Sequence, residues 1–195
     1  RLIVGSDGLT ERDGELVPER FSNDGVGRVY GLELQVKHRP VGPFFGWIAY
    51  TLMRSERRDH PGEAWRLFDY DQTHVLTVVA SVDLPWGMSA GLRFRLASGN
   101  PDTPVTAAVL DADSDQYVPI YGRANSARMP LFHQLDLRVD KKWQWKRVAF
   151  SAYLDVENVY NRKNAELYTY NFDYTKKRYV YGLPIIPALG LRLEY

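Results

Sequence analysis

The 195-residue sequence contains no cysteine, which excludes both a disulfide framework and a thiolate metal centre. Neither sign of charge is in excess. Lys and Arg number 25 against 24 Asp and Glu, a net charge of +1, so no basic surplus points to nucleic acid as a partner. No apolar run approaches the ~18 residues of a transmembrane helix, and no segment of useful length follows a helical period. A helical membrane protein is thereby excluded. A membrane barrel is not, because its strands turn only every second residue to lipid. No charged-then-apolar leader precedes the first strand, as in a mature protein or a fragment, and this carries no argument for the cytoplasm. The four histidines (His38, His60, His74 and His133) have no metal-ligand spacing.

What the sequence does have is alternation. In Pro187–Tyr195, Leu189, Leu191, Leu193 and Tyr195 share one parity, opposite Ala188, Gly190, Arg192 and Glu194. A period of two with one apolar face predicts a half-buried strand. The same pattern predicts strands over 28–38, 44–54, 73–83, 88–98, 131–140 and 147–157. Gly5–Gly27, Ser55–Asp71, Gly99–Pro130 and Asn158–Pro184 read as loops, the last with a tyrosine-rich hairpin inside it. Arg1–Val4 reads as the tail of a further strand.

A soluble sandwich and a membrane barrel both accommodate such strands, and two regularities favour the barrel. Connections alternate between short (39–43, 84–87, 141–146) and long, as in outer-membrane barrels with tight periplasmic turns and long outer loops. Four of the five tryptophans also lie at the short turns. Phe44, Trp47, Trp86, Trp143, Trp145 and Tyr195 are expected to form an aromatic girdle at one membrane interface. On the opposite strand faces stand Glu33, Lys37, Arg93, Arg95 and Asp136, followed by Arg138, Asp155, Glu157 and Arg192. These nine are expected to face a wet, charged lumen too polar to close as a small dry barrel, with Arg93 and Arg95 paired to Asp136.

Several stretches resemble the C-terminal part of TonB-dependent outer-membrane receptors. They are Gly31-Leu-Glu33, Asp71-Gln-Thr-His-Val75, Ser98-Gly-Asn-Pro101, Arg128-Met-Pro130 with Gln134-Leu-Asp-Leu-Arg138, Tyr153-Leu-Asp-Val-Glu-Asn158 with Tyr160-Asn-Arg162, and Gly182-Leu-Pro-Ile-Ile-Pro187. The resemblance covers about residues 26 to 195 and implies an all-β fold, an antiparallel transmembrane β-barrel segment. These would be the last seven to eight strands of a 22-stranded, plugged barrel, with the N-terminal plug and earlier strands absent. It further implies a bacterial outer-membrane location and partners in outer-membrane lipid, a plug domain, the inner-membrane energy-coupling protein TonB and a small-molecule nutrient. The implied function is energy-coupled uptake of a siderophore, cobalamin or oligosaccharide, without cofactor or catalysis.

Other readings remain beside it. A smaller passive pore or surface adhesin would share the strands and girdle. An outer-membrane hydrolase could use Asp71 and His74 as a hydrolytic pair with a serine. Tyr168, Tyr170, Tyr174, Tyr179 and Tyr181 form a possible ligand loop or an upper aromatic belt. Asp111, Asp113 and Asp115 could approach Ca²⁺, but the glycine and distal glutamate of an EF-hand are missing, and a solvated acidic turn is the plainer reading.

Overall fold

The structure, a computed structural model, describes residues 9–12, 15–18, 24–146 and 148–194. The strands are β1 (Leu9–Arg12), β2 (Glu15–Pro18), β3 (Val26–Val41), β4 (Phe44–Arg58), β5 (Arg66–Leu67), β6 (His74–Leu84), β7 (Met88–Ala97) and β8 (Pro101–Asp102). They continue as β9 (Val105–Asp111), β10 (Gln116–Tyr121), β11 (Ala127–Arg128), β12 (Phe132–Trp145), β13 (Val148–Glu157), β14 (Ala165–Tyr170), β15 (Lys177–Tyr181) and β16 (Ile186–Glu194). One antiparallel sheet dominates, in the order β16-β13-β12-β7-β6-β4-β3, with β5 also pairing β4. The chain is therefore all-β and its main sheet is a meander. Each strand pairs with its predecessor wherever a tight turn or an outer loop joins them.

The register carries one face unbroken across all seven long strands. Leu34 opposes Tyr50, which opposes Leu76, then Leu96. Val78 opposes Phe94, which opposes Leu135. Leu137 opposes Val156, Val139 opposes Leu154, and Leu154 opposes Leu189. Because side chains alternate strictly along a strand, a slip of one residue anywhere would break this continuity.

None of the described residues covers that face. The leucines of the two outer strands are the extreme case, with Leu32 at 65%, Leu34 at 58%, Leu189 at 74%, Leu191 at 66% and Leu193 at 64% exposure. Ala97 is the sole buried hydrophobic residue among those described. Full burial of a leucine is worth ~1.5–3 kcal/mol, so these five alone forgo about 5–10 kcal/mol in water. This matches the whole net stability of an ordinary domain, ~5–15 kcal/mol. No second sheet packs on the apolar face among the described residues, so the arrangement is not a sandwich. Among the described residues the sheet is open as well: β3 and β16 each pair on one side only.

The short connections lie at one end. Gly42-Pro43 links β3 to β4 with Gly42 at φ 76°. Proline at 40 lacks an N–H, and the ladder breaks between His38 and Val41. A single 3₁₀ turn, Pro85–Gly87, links β6 to β7. The third differs from the sequence expectation. Lys141–Trp145 is strand, not turn, paired with Val148–Ala152. The long connections at the other end hold their own hairpins, β9/β10, β8/β11 and β14/β15. Gly99–Pro130 is therefore more regular than its sequence suggests. In the stretch read as an N-terminal loop, β1 pairs with β2. Arg1–Val4 lies outside the described residues.

Candidate functional site

All nine residues expected on a charged face share one parity in the register. Arg93 opposes Asp136, Arg95 opposes Gln134, Arg138 opposes Asp155, and Arg192 opposes Ser151. Glu33 and Lys37 occupy the same side through their partners Thr51 and Trp47, and Glu157 through Ile186. The Arg93–Asp136 pair is direct, with Arg93 Nη2 at 2.7 Å and Nε at 2.9 Å from the same carboxylate oxygen. The other oxygen accepts from Gln134 at 2.7 Å and from the Asn158 N–H at 3.0 Å. Arg138 donates twice to Asp140, lies 3.5 Å from Asp155 and stacks over the Tyr153 ring at 4.0 Å. Arg93, Asp136, Arg138 and Asp155 border an open depression of ≈ 240 Å³. Arg95 reaches the Phe132 ring at 5.8 Å instead of the expected Asp136.

One residue of the expected girdle departs from the others in the register. Phe44, Trp143 and Trp145 lie on the apolar face, through Val82, Phe150 and Val148 respectively. Trp86 projects from the 3₁₀ turn with 83% exposure. Trp47 does not join them. Its partners are Lys37 and Val79, so it belongs to the charged face. The segment Phe44–Arg54 is apolar on both sides, and only pairing reveals which side is which. Tyr195 lies outside the described residues. At the loop end the apolar face carries a second set of aromatic, polar-tipped groups. Tyr50 Oη meets His74 Nδ1 at 2.7 Å, and His133 Nδ1 meets Tyr160 Oη at 2.7 Å.

Where the long loops leave the sheet, polar side chains are buried instead of apolar ones. Asp71 is fully buried. It accepts from the Ser55 N–H at 2.6 Å, the Thr73 hydroxyl at 2.9 Å and Arg128 at 2.5 Å. Burial by itself would raise the Asp71 carboxyl, but Arg128, Ser55 and Thr73 together hold it below its ordinary value. Arg128 also donates to the Asp71 and Gly99 carbonyls, so one guanidinium ties the loop before β6 to the loop after β7. Asn125 bonds the Leu67 carbonyl and the Asp69 carboxylate. Asn158, 1% exposed, bonds the Arg162 and Leu183 carbonyls. These groups form a hydrogen-bonded collar at the base of the long-loop hairpins.

Above the collar, β9/β10 and β14/β15 enclose an open cleft of ≈ 550 Å³. Tyr168, Tyr170 and Tyr174 of the predicted tyrosine set line it. Tyr168 and Tyr170 meet edge to face at 5.5 Å, and Tyr170 and Tyr174 are tilted at 5.5 Å. Tyr179 backs Tyr168 at 6.4 Å, while Tyr181 stands outside the lining, with Lys163 6.0 Å from its ring. Sequence reading missed Gln116, Tyr117 and Phe172, although Tyr117–Phe172, edge to face at 5.5 Å, closes the far side. Lys177 rests 3.5 Å above the Tyr168 ring and pairs with Asp102 at 3.0 Å. Tyr168 donates to Asp102 as well. Burial first, and then Asp102, push the Tyr168 phenol well above its ordinary value.

The residues suggested for hydrolysis are not assembled. Asp71 is committed to Arg128 and His74 to Tyr50. Gly87-Met-Ser-Ala-Gly91 has nucleophile-elbow spacing. Ser89, however, sits in extended β7 opposite Asp83, with no helix following. It lies at the turn end of the sheet, and His74 opens β6 at the loop end. In the acidic turn, Asp111 accepts from the Asp113 N–H at 3.1 Å and the Ser114 hydroxyl at 2.7 Å. Ser114 and that N–H hold its carboxyl below the ordinary range. No cluster of three or more metal-binding side chains occurs among the described residues. Neither protein-family models, curated proteins nor solved structures yield a match to this chain.

Proposed function

We propose that the chain is the C-terminal portion of a TonB-dependent outer-membrane receptor barrel, serving energy-coupled uptake of a scarce nutrient. The observation that carries this reading is the apolar face shared by seven consecutive strands and left uncovered, with a charged face behind it. A lipid bilayer is the solvent that suits the first, and a water-filled or plugged lumen suits the second.

The dimensions agree. From His133 to Trp143 on β12 is ten residue steps, ~33 Å at ~3.3 Å per step. Tilted by ~40°, that spans about 25 Å, the height of the apolar band of an outer-membrane barrel. Tyr50, His74, His133 and Tyr160 would then lie at one headgroup level, and Phe44, Trp143 and Trp145 at the other. Open edges at β3 and β16 are untenable in lipid, so in this reading further strands complete the barrel up to the family's 22. The collar and hairpins become the outer mouth, and the paired charges the wall against which a plug rests.

Uptake measured in cells separates this from a passive pore. Transport that stops when the inner-membrane energy-coupling protein is deleted supports the receptor reading. Transport indifferent to that deletion supports the pore and refutes energy coupling.

A further inference from the structure

We infer that the cleft between the β9/β10 and β14/β15 hairpins binds an uncharged saccharide, stacked on its tyrosine and phenylalanine rings. The inference deepens the receptor reading by naming a ligand class for its outer mouth, and rests on that reading only for the ligand's later transport.

Three observations carry it. First, the lining is aromatic and polar but uncharged: Tyr117, Tyr168, Tyr170, Phe172 and Tyr174 stand with Gln116, Thr169 and Asn171. Aromatic faces cover the C–H faces of a sugar ring, while hydroxyl and amide groups serve its hydroxyls. The two charges in contact with Tyr168, Lys177 and Asp102, are paired with each other. An anionic metal chelate would enter without a cationic partner. Second, the rings are set by their mutual contacts, Tyr168 and Tyr174 flanking Tyr170 and Tyr117 meeting Phe172, and by a hydrogen-bonded turn. The turn bearing Phe172 is closed by Asn171 to Lys176 and by Asp173 to Thr175, and Phe172 stays 69% exposed although it meets Tyr117 edge to face. Third, at ≈ 550 Å³ the cleft falls within the ~300–1,000 Å³ usual for small-molecule sites.

The test uses the complete protein in detergent micelles, titrated calorimetrically with maltohexaose and cellohexaose and, separately, with a ferric tris-catecholate. At least one glucan should bind, and the catecholate should not displace it. Phe172→Ala and Tyr170→Ala should each weaken glucan binding by roughly tenfold, about 1.4 kcal/mol, and Tyr170→Trp should retain it. Because Phe172 is exposed, its truncation leaves the fold intact. Failure of both glucans to bind overturns the inference, as does binding of the catecholate in their place or glucan binding unchanged in both alanine variants. The membrane reading fails on a different result, a protein stable in water without amphiphile, and saccharide binding by such a protein would leave the present inference standing.

Discussion

Replacing Arg128 with methionine tests the collar. The substitution keeps the aliphatic bulk and removes the guanidinium, leaving the fully buried Asp71 carboxylate with the Ser55 N–H and the Thr73 hydroxyl alone. Stranding one member of a buried ion pair costs ~3–5 kcal/mol. The two remaining donors place Arg128→Met at the lower end, about 3 kcal/mol. The loss should be local. Arg128 joins the loop before β6 to the loop after β7 through Asp71, Thr73 and Gly99, and its own backbone pairs only in the small β8/β11 ladder, so the ladders of the main sheet do not involve it. Hydrogen exchange in detergent should therefore show faster exchange at 55–73 and 98–131, with β12 and β13 unchanged. Acid should act in the same direction. Asp71 is held below its ordinary value of 3.8, so its contribution is complete above that pH and disappears as pH falls through the lowered one. In Asp71→Asn this acid-dependent loosening should vanish. Unchanged exchange in Arg128→Met, or loosening spread evenly over the sheet, would refute the reasoning.

Three further outcomes follow from particular contacts. Asp136→Ala strands the N–H of the nearly fully buried Asn158. It should cost ~1–3 kcal/mol in urea unfolding from lipid vesicles, whereas a cost below ~0.5 kcal/mol, the level of an unremarkable surface change, would show that the bond contributes nothing. A Cβ at Gly190 would fall 2.2 Å from the Tyr153 ring. Gly190→Val should therefore destabilise by ~1–3 kcal/mol, and adding Tyr153→Ala should recover part of that loss. Tyr168 has its phenol pushed above the ordinary 10.0, so its contribution to stability is present below that pH and is lost only above it. In ultraviolet titration, Tyr168→Phe should match the wild type up to about pH 10 and lose absorbance change only beyond it. A deficit at lower pH would contradict the burial and the Asp102 bond.

Alternation was legible because a strand with one apolar face has a period of two, and six of the seven long strands were read nearly to their ends. β12 was cut short because Lys141-Lys-Trp-Gln-Trp-Lys146 looks like a polar turn. Its parity nonetheless keeps Lys141, Trp143 and Trp145 on the apolar side. Trp47 was misplaced because its strand is apolar on both sides, and a face there is defined only by the neighbour. The outer hairpin β9/β10 was hidden by Pro119 within a strand and by the acidic turn. The Asp71–Arg128 tie, 57 residues apart, and the Tyr117–Phe172 contact are tertiary. No local pattern encodes which loops will meet.

The central claim is that lipid wets the side bearing Leu32, Leu34 and Val36 while water wets the side bearing Glu33, Gln35 and Lys37. Because the chain has no cysteine, single cysteines at these six positions can carry a nitroxide without background. Their exposure to oxygen and to a water-soluble nickel chelate can then be measured in a reconstituted bilayer. The account predicts strict alternation, with oxygen broadening dominant at 32, 34 and 36 and nickel broadening at 33, 35 and 37. Equal nickel broadening at all six positions would contradict it.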